Sequence, residues 1–64
     1  MQLGIVKWTN DHKGYGFIES EDQDIFFHHS VTENFHDLKE GSIVLLEIVP
    51  GEKGLKASLV KEKK

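Results

Sequence analysis

The 64-residue sequence contains no cysteine, no arginine and only one proline. Without cysteine there is neither a disulfide framework nor a thiolate metal site, the usual supports of small secreted domains, and a reducing intracellular setting is expected. All eight basic residues are lysine. The planar fork that reads base edges two bonds at a time is therefore missing, and sequence-specific reading of a duplex groove is not expected. There is no apolar run of about twenty residues, no signal peptide with a small-residue cleavage site and no lipidation motif, which predicts a soluble cytoplasmic protein. The length predicts one small domain over residues 1–64, a size that buries only about 60% of the surface its unfolded chain exposes. Eleven acidic residues against eight basic ones give a formal charge of −3, the wrong sign for holding phosphate backbones by net charge alone. The local distribution differs from the total. Lys7 and Lys13 lie close to aromatic stretches, whereas Glu19, Glu21, Asp22, Glu33, Glu40 and Glu52 fall in or beside expected turns.

What the chain does have is concentrated in Lys13-Gly14-Tyr15-Gly16-Phe17-Ile18. In a strand, side chains two apart share a face, so Tyr15 and Phe17 stand together while Gly16 and Ile18 face the other way. A second run, Asp24 to Ser30, repeats the pattern, with Phe26 and His28 on one face and Ile25 and Phe27 on the other. The acidic Glu21-Asp22-Gln23 between them predicts a hairpin. Antiparallel pairing then sets Tyr15, Phe17, Phe26 and His28 side by side. A lone aromatic in a strand is ordinarily core, but here Ile18, Ile25 and Phe27 already fill the opposite faces, so the rings are expected on the outside.

Taken in order, Gln2 to Asn10 alternates Leu3, Ile5, Lys7, Thr9 against Gly4, Val6, Trp8 and predicts a first strand. Strands Tyr15 to Ser20 and Asp24 to His29 follow. Ser30 to Gly41 is irregular, anchored by Val31, Phe35 and Leu38, with room for one short helical turn. Ser42 to Val49 is a nearly unbroken apolar run stopped by Pro50-Gly51-Glu52-Lys53-Gly54, and Leu55 to Val60 supplies a fifth strand. Five short strands without an amphipathic helix predict an all-β fold, a small antiparallel barrel whose closure removes exposed edges.

Several chemistries are excluded or disfavoured. The glycines at 14 and 16 lack the Gly-Lys-Ser/Thr ending and following helix of a phosphate-binding loop. Lys13 to Phe17 fits one signature of an RNA-recognition motif, but that fold needs an earlier partner motif and two helices. His28 and His29 invite a metal, yet neighbours in a strand face opposite ways and no third ligand has a recognised spacing, so no metal and no cofactor is expected. No nucleophile motif, dinucleotide loop or paired carboxylate suggests an enzyme, and no catalytic residue is assigned.

Three motifs, Gly4-x-Val6-Lys7-Trp8-x-Asn10, Lys13-Gly14-Tyr15-Gly16-Phe17-Ile18 and Asp24-Ile25-Phe26-Phe27-His28-x-Ser30, with Leu38-x-x-Gly41 closing the central loop, occur in an order and spacing that resemble the bacterial cold-shock proteins along essentially the whole chain. The resemblance implies a five-stranded oligonucleotide-binding barrel (OB-fold) that binds single-stranded RNA and DNA with little sequence preference and acts as an RNA chaperone or transcription antiterminator. It places Lys7, Trp8, Lys13, Tyr15, Phe17, Asp24, Phe26, His28 and Phe35 on ligand-contacting positions. His29 joins them where the family usually has an aromatic residue. Alternation alone would send Trp8 inward beside Val6, and only the resemblance puts its ring on the ligand face. Thr9 also replaces a usual aromatic, Ser30 to Leu38 is slightly short, and Leu55-Lys56 replaces proline-glutamine, so weakened affinity is expected. This leaves a second class of function, a barrel serving protein interaction. Outward Leu3 and Ile5 beside outward Ile43 and Leu45 would then form an apolar patch for weak self-association.

Overall fold

The computed structural model describes residues 1–63. Strands β1 (Gln2–Asn10), β2 (Tyr15–Ser20), β3 (Gln23–His28), β4 (Ile43–Gly51) and β5 (Gly54–Glu62) close into a barrel in the order β1-β2-β3-β5-β4. The ladders are antiparallel with one exception. β3 meets β5 in a parallel contact at Phe26 and Lys56, so the closure is not antiparallel throughout as expected. The segment between β3 and β4 holds two single 3₁₀ turns, His29–Val31 and Phe35–Asp37, one more turn than the sequence suggested. Among the described residues no helix is long and apolar enough to cross a membrane.

The hairpin joining β2 and β3 is tighter than its sequence implies, because Ser20 pairs with Gln23 and the loop is only Glu21 and Asp22. Both have positive φ, 53° and 65°. A two-residue turn with this geometry matches the right-handed twist of the flanking strands and fixes the register of the rings above it.

The core is the set expected from alternation, Val6, Ile18, Ile25, Phe27, Val44 and Leu46, completed by Ala57, Val60, Phe35 and Leu38. Fully burying an aliphatic or aromatic side chain stabilises by about 1.5–3 kcal/mol. Two β-bulges decide what else faces inward. In β1 the register slips between Val6 and Trp8, Lys7 is the extra residue, and Trp8 is thereby turned outward. Between β4 and β5 it slips after Glu47 and skips Ser58, which lets Ala57 and Val60, three apart, both enter the core. A bulge adds one residue to one strand of a pair and so exchanges the faces beyond it. Ser20, the only buried polar side chain among the described residues, donates its hydroxyl to the Leu3 carbonyl at 2.8 Å.

Candidate nucleic-acid interface

The barrel brings Trp8, Tyr15, Phe17 and Phe26 into one outer surface spanning β1, β2 and β3. Phe17 stands directly opposite Phe26 and next to Trp8, and Tyr15 lies opposite His28. The rings form a closed mosaic in which each touches two others. Centroids are 5.3 Å apart for Trp8 and Phe17, 5.8 Å for Phe17 and Phe26, 5.6 Å for Phe26 and Tyr15, and 5.6 Å for Tyr15 and Trp8. Trp8 and Tyr15 meet edge-on, as do Phe17 and Phe26, while Trp8 and Phe17 are tilted and Tyr15 and Phe26 are stacked. Such pairs are worth about 0.5–1.5 kcal/mol each and hold the rings in place. Trp8 remains 42% exposed and Phe26 37%, so their faces are open to a ligand. Gly16 makes the arrangement possible: a Cβ there would come within 2.6 Å of the Trp8 carbonyl oxygen and 2.8 Å of the Phe27 ring.

Charged residues mark the edges. Lys7, on the bulge, pairs its Nζ with Asp24 Oδ1 at 3.1 Å, and both side chains are largely exposed. Lys13 sits in the β1–β2 turn, where Asn10 Oδ1 accepts its backbone N–H at 3.0 Å. Its neighbour Gly14 has φ +73°, and the His29 ring lies where a Cβ would project.

His28 and His29 do not diverge. β3 ends at His28, the chain turns into the first 3₁₀ turn, and the ring centroids approach to 4.2 Å. The expectation that neighbouring residues face opposite ways holds only within a strand. His28 Nδ1 lies 2.9 Å from the Ser30 hydroxyl and 3.3 Å from the Ser30 backbone N–H, so the start of the 3₁₀ turn holds the ring in place. No group of three His, Cys, Asp or Glu among the described residues is arranged to hold a metal ion.

Phe35 requires a correction. It is 5% exposed and its ring packs 5.7 Å from Phe27, so it is a core residue and not one of the four open rings, while it also helps to line the cavity beside His29. The reason is topological. The loop from β3 to β4 folds back against the barrel, and its Phe35 and Leu38 join the buried core cluster. The adjacent His36 takes the exposed position, with Nδ1 3.9 Å from Asp11 Oδ1. Asp11, His12 and His36, none of them selected from the sequence, line a cavity of about 330 Å³ together with Lys13 and His29. The signal available was modest: His36 directly follows the anchor Phe35, and His12 precedes Lys13.

At the opposite end, Phe17, Asp24 and Phe26 line a groove of about 540 Å³ with the β4–β5 hairpin, including Lys53, Leu55 and Lys56. Leu55 is 38% exposed there. A track therefore runs from the histidine-lined cavity across the four rings to a second pair of lysines.

A closed five-strand barrel of this topology, with bare rings on its second and third strands, defines an oligonucleotide-binding fold. Residues 2–63 match the family described as the 'Cold-shock' DNA-binding domain. The chain is 45% identical over 64 residues to the cold shock-like protein CspD of Haemophilus influenzae, covering 94% of this chain and 89% of that protein. It is 49% identical over 63 residues to the cold shock-like protein CspLB of Listeria monocytogenes and to the cold shock protein CspB of Geobacillus stearothermophilus, covering 94% of this chain and 96% of each. The chain belongs to the cold-shock domain family, a family of nucleic-acid-binding proteins.

Proposed function

We propose that this protein binds unpaired stretches of RNA and DNA by stacking bases on Trp8, Tyr15, Phe17 and Phe26, with little sequence preference, and that it acts as an RNA chaperone or antiterminator by trapping strands before they form hairpins. The observation that carries the reading is the mosaic of four half-open rings on a single face. Every base has a π-face, so stacking tolerates any sequence, and lysines follow the phosphates as point charges. Lys7, Lys13, Asp24, His28 and His29 complete the interface. Quenching of Trp8 fluorescence by oligothymidine and oligouridine, declining steeply with added salt, is the expected result. A signal indifferent to both strands would reject the proposal. A hairpin RNA should also become more sensitive to single-strand nuclease at saturating protein.

A second reading, the barrel as a self-associating module, is favoured by one observation: Leu3, Ile5 and Ile43 are 55%, 52% and 51% exposed on the outside of β1 and β4.

A further inference from the structure

We infer that the outer face of β1 and β4 is a contact surface for a second copy of this chain, one that links copies lying side by side on the same nucleic-acid strand. The inference rests on the reading of the barrel as a self-associating module and gives it a partner, a geometry and a use.

Leu3 pairs directly with Leu45, and Ile5 with Ile43, across the β1–β4 ladder. The four side chains therefore form one contiguous block rather than scattered hydrophobes, which is the arrangement that signals association. The flanks differ in sign. On the β2 side Glu19 stands opposite Ile5. On the β5 side Lys61 stands opposite Leu45, and the Lys63 backbone N–H donates to the Ile43 carbonyl at 2.9 Å. Across the strands the face runs from the acidic Glu19 edge through the apolar block to the basic Lys61 edge, and along β4 the exposed Glu47 bounds the block beyond Leu45.

A copy turned about a two-fold axis running along the strands meets it with apolar on apolar and the acidic edge over the basic one, on both sides at once. Such an isologous contact needs only one self-complementary surface. A partner carrying one sign of charge would be repelled along one edge. The block is smaller than the roughly 800 Å² per partner of a stable interface, so association in free solution is weak. Two copies on one strand meet at an effective concentration on the order of millimolar, which makes a weak contact count. The Phe17 and Phe26 rings lie further round the barrel and stay open in such a pair.

Sedimentation at rising protein concentration without nucleic acid, together with titration of oligothymidines of about 6 and about 24 nucleotides, tests the inference. The wild-type protein is expected to form a concentration-dependent dimer and to bind the longer strand cooperatively, at least about 10-fold tighter per site. Ile43→Glu should remove both effects while leaving the short strand bound as before. Glu19→Lys should weaken the dimer, and combining it with Lys61→Glu and Lys63→Glu should restore it, a recovery that damage to the fold would not produce. A protein that stays monomeric at the highest concentration and binds both strands equally per site overturns the inference. So does a folded triple variant that fails to recover. A dimer that persists while neither strand is bound supports the surface and rejects stacking on the rings.

Discussion

The barrel carries two apolar outer surfaces, and β1 contributes to both. Before the bulge at Lys7 it points Leu3 and Ile5 outward against β4; after the bulge it points Trp8 outward against Phe17. The first surface is aliphatic, framed by one acidic and one basic edge. The second is aromatic, with lysines at its ends. Branched aliphatic groups offer only non-directional burial, which suits a matching apolar surface. Rings that meet mostly edge-on or tilted, as Trp8 and Phe17 do with their neighbours, keep flat faces for another flat group. An exposed apolar patch is thus read by the shape of its side chains and the signs of its neighbours, not by its hydrophobicity alone.

That comparison depends on which rings are outside, and Phe35 gives its largest test. Phe35→Ala is expected to cost about 3–5 kcal/mol, a large part of the roughly 3–10 kcal/mol available to a chain this short, and urea unfolding would measure it. Phe35→Leu keeps most of the volume and should bind oligothymidine within about 2-fold of the parent. If the leucine variant instead lost as much affinity as loss of a surface ring, Phe35 would have to be counted with the aromatic surface.

Phe17→Ala and Phe26→Ala come next. Each should weaken oligothymidine binding by about 1–3 kcal/mol, roughly 5- to 150-fold, with a smaller loss of stability because both rings are already partly in water. Neither should alter self-association in free solution, whereas Ile43→Glu should do the reverse. A ring variant that abolished dimerisation would merge the two surfaces into one.

Most of this was legible from alternation. Tyr15, Phe17 and Phe26 against Ile18, Ile25 and Phe27, and Leu3 and Ile5 against Val6, follow from period two alone. Trp8 does not, because the period fails at a bulge, and nothing local in Val6-Lys7-Trp8 announces one; the family resemblance supplied the correct face. The inward pairing of Ala57 and Val60 was hidden for the same reason. His28 and His29 were separated on the assumption that the strand continued, yet it stops between them. Phe35 served as both a loop anchor and a ligand contact in the sequence, and only its packing against Phe27 in the folded chain decides for the anchor. Long-range closure, including the parallel contact of Phe26 with Lys56, has no local signature.

A smaller effect separates the surfaces by their histidines. His12, His29 and His36 line the cavity beside the rings, with Asp11, Lys13 and Glu33, and His28 leans on His29. A strand running on from the rings into this cavity meets those side chains, so His29→Gln with His36→Gln should weaken oligothymidine binding by a few-fold, less than the loss of a ring. The aliphatic face carries no histidine, and dimerisation should be unchanged. Unaltered oligothymidine affinity would remove the histidines from the interface.

The smallest predicted difference lies between two lysines of the aromatic surface. A cation that contacts a single-stranded phosphate contributes about 0.7 to the slope of log affinity against log salt, and Lys13→Gln should lower the slope by about that amount. Lys7 is already held by Asp24 at 3.1 Å. A phosphate must exchange with that carboxylate instead of with a loosely associated salt ion, so fewer ions are released and Lys7→Gln should lower the slope by less. An exposed pair of this kind is worth no more than about 1 kcal/mol, so Asp24→Asn leaves the fold intact and frees the amine. In that background Lys7→Gln should cost as much slope as Lys13→Gln does in the parent. The cycle of single and double variants isolates the coupling. Equal slopes for Lys7→Gln with and without Asp24 would mean that the ion pair does not restrain the lysine when a strand is bound.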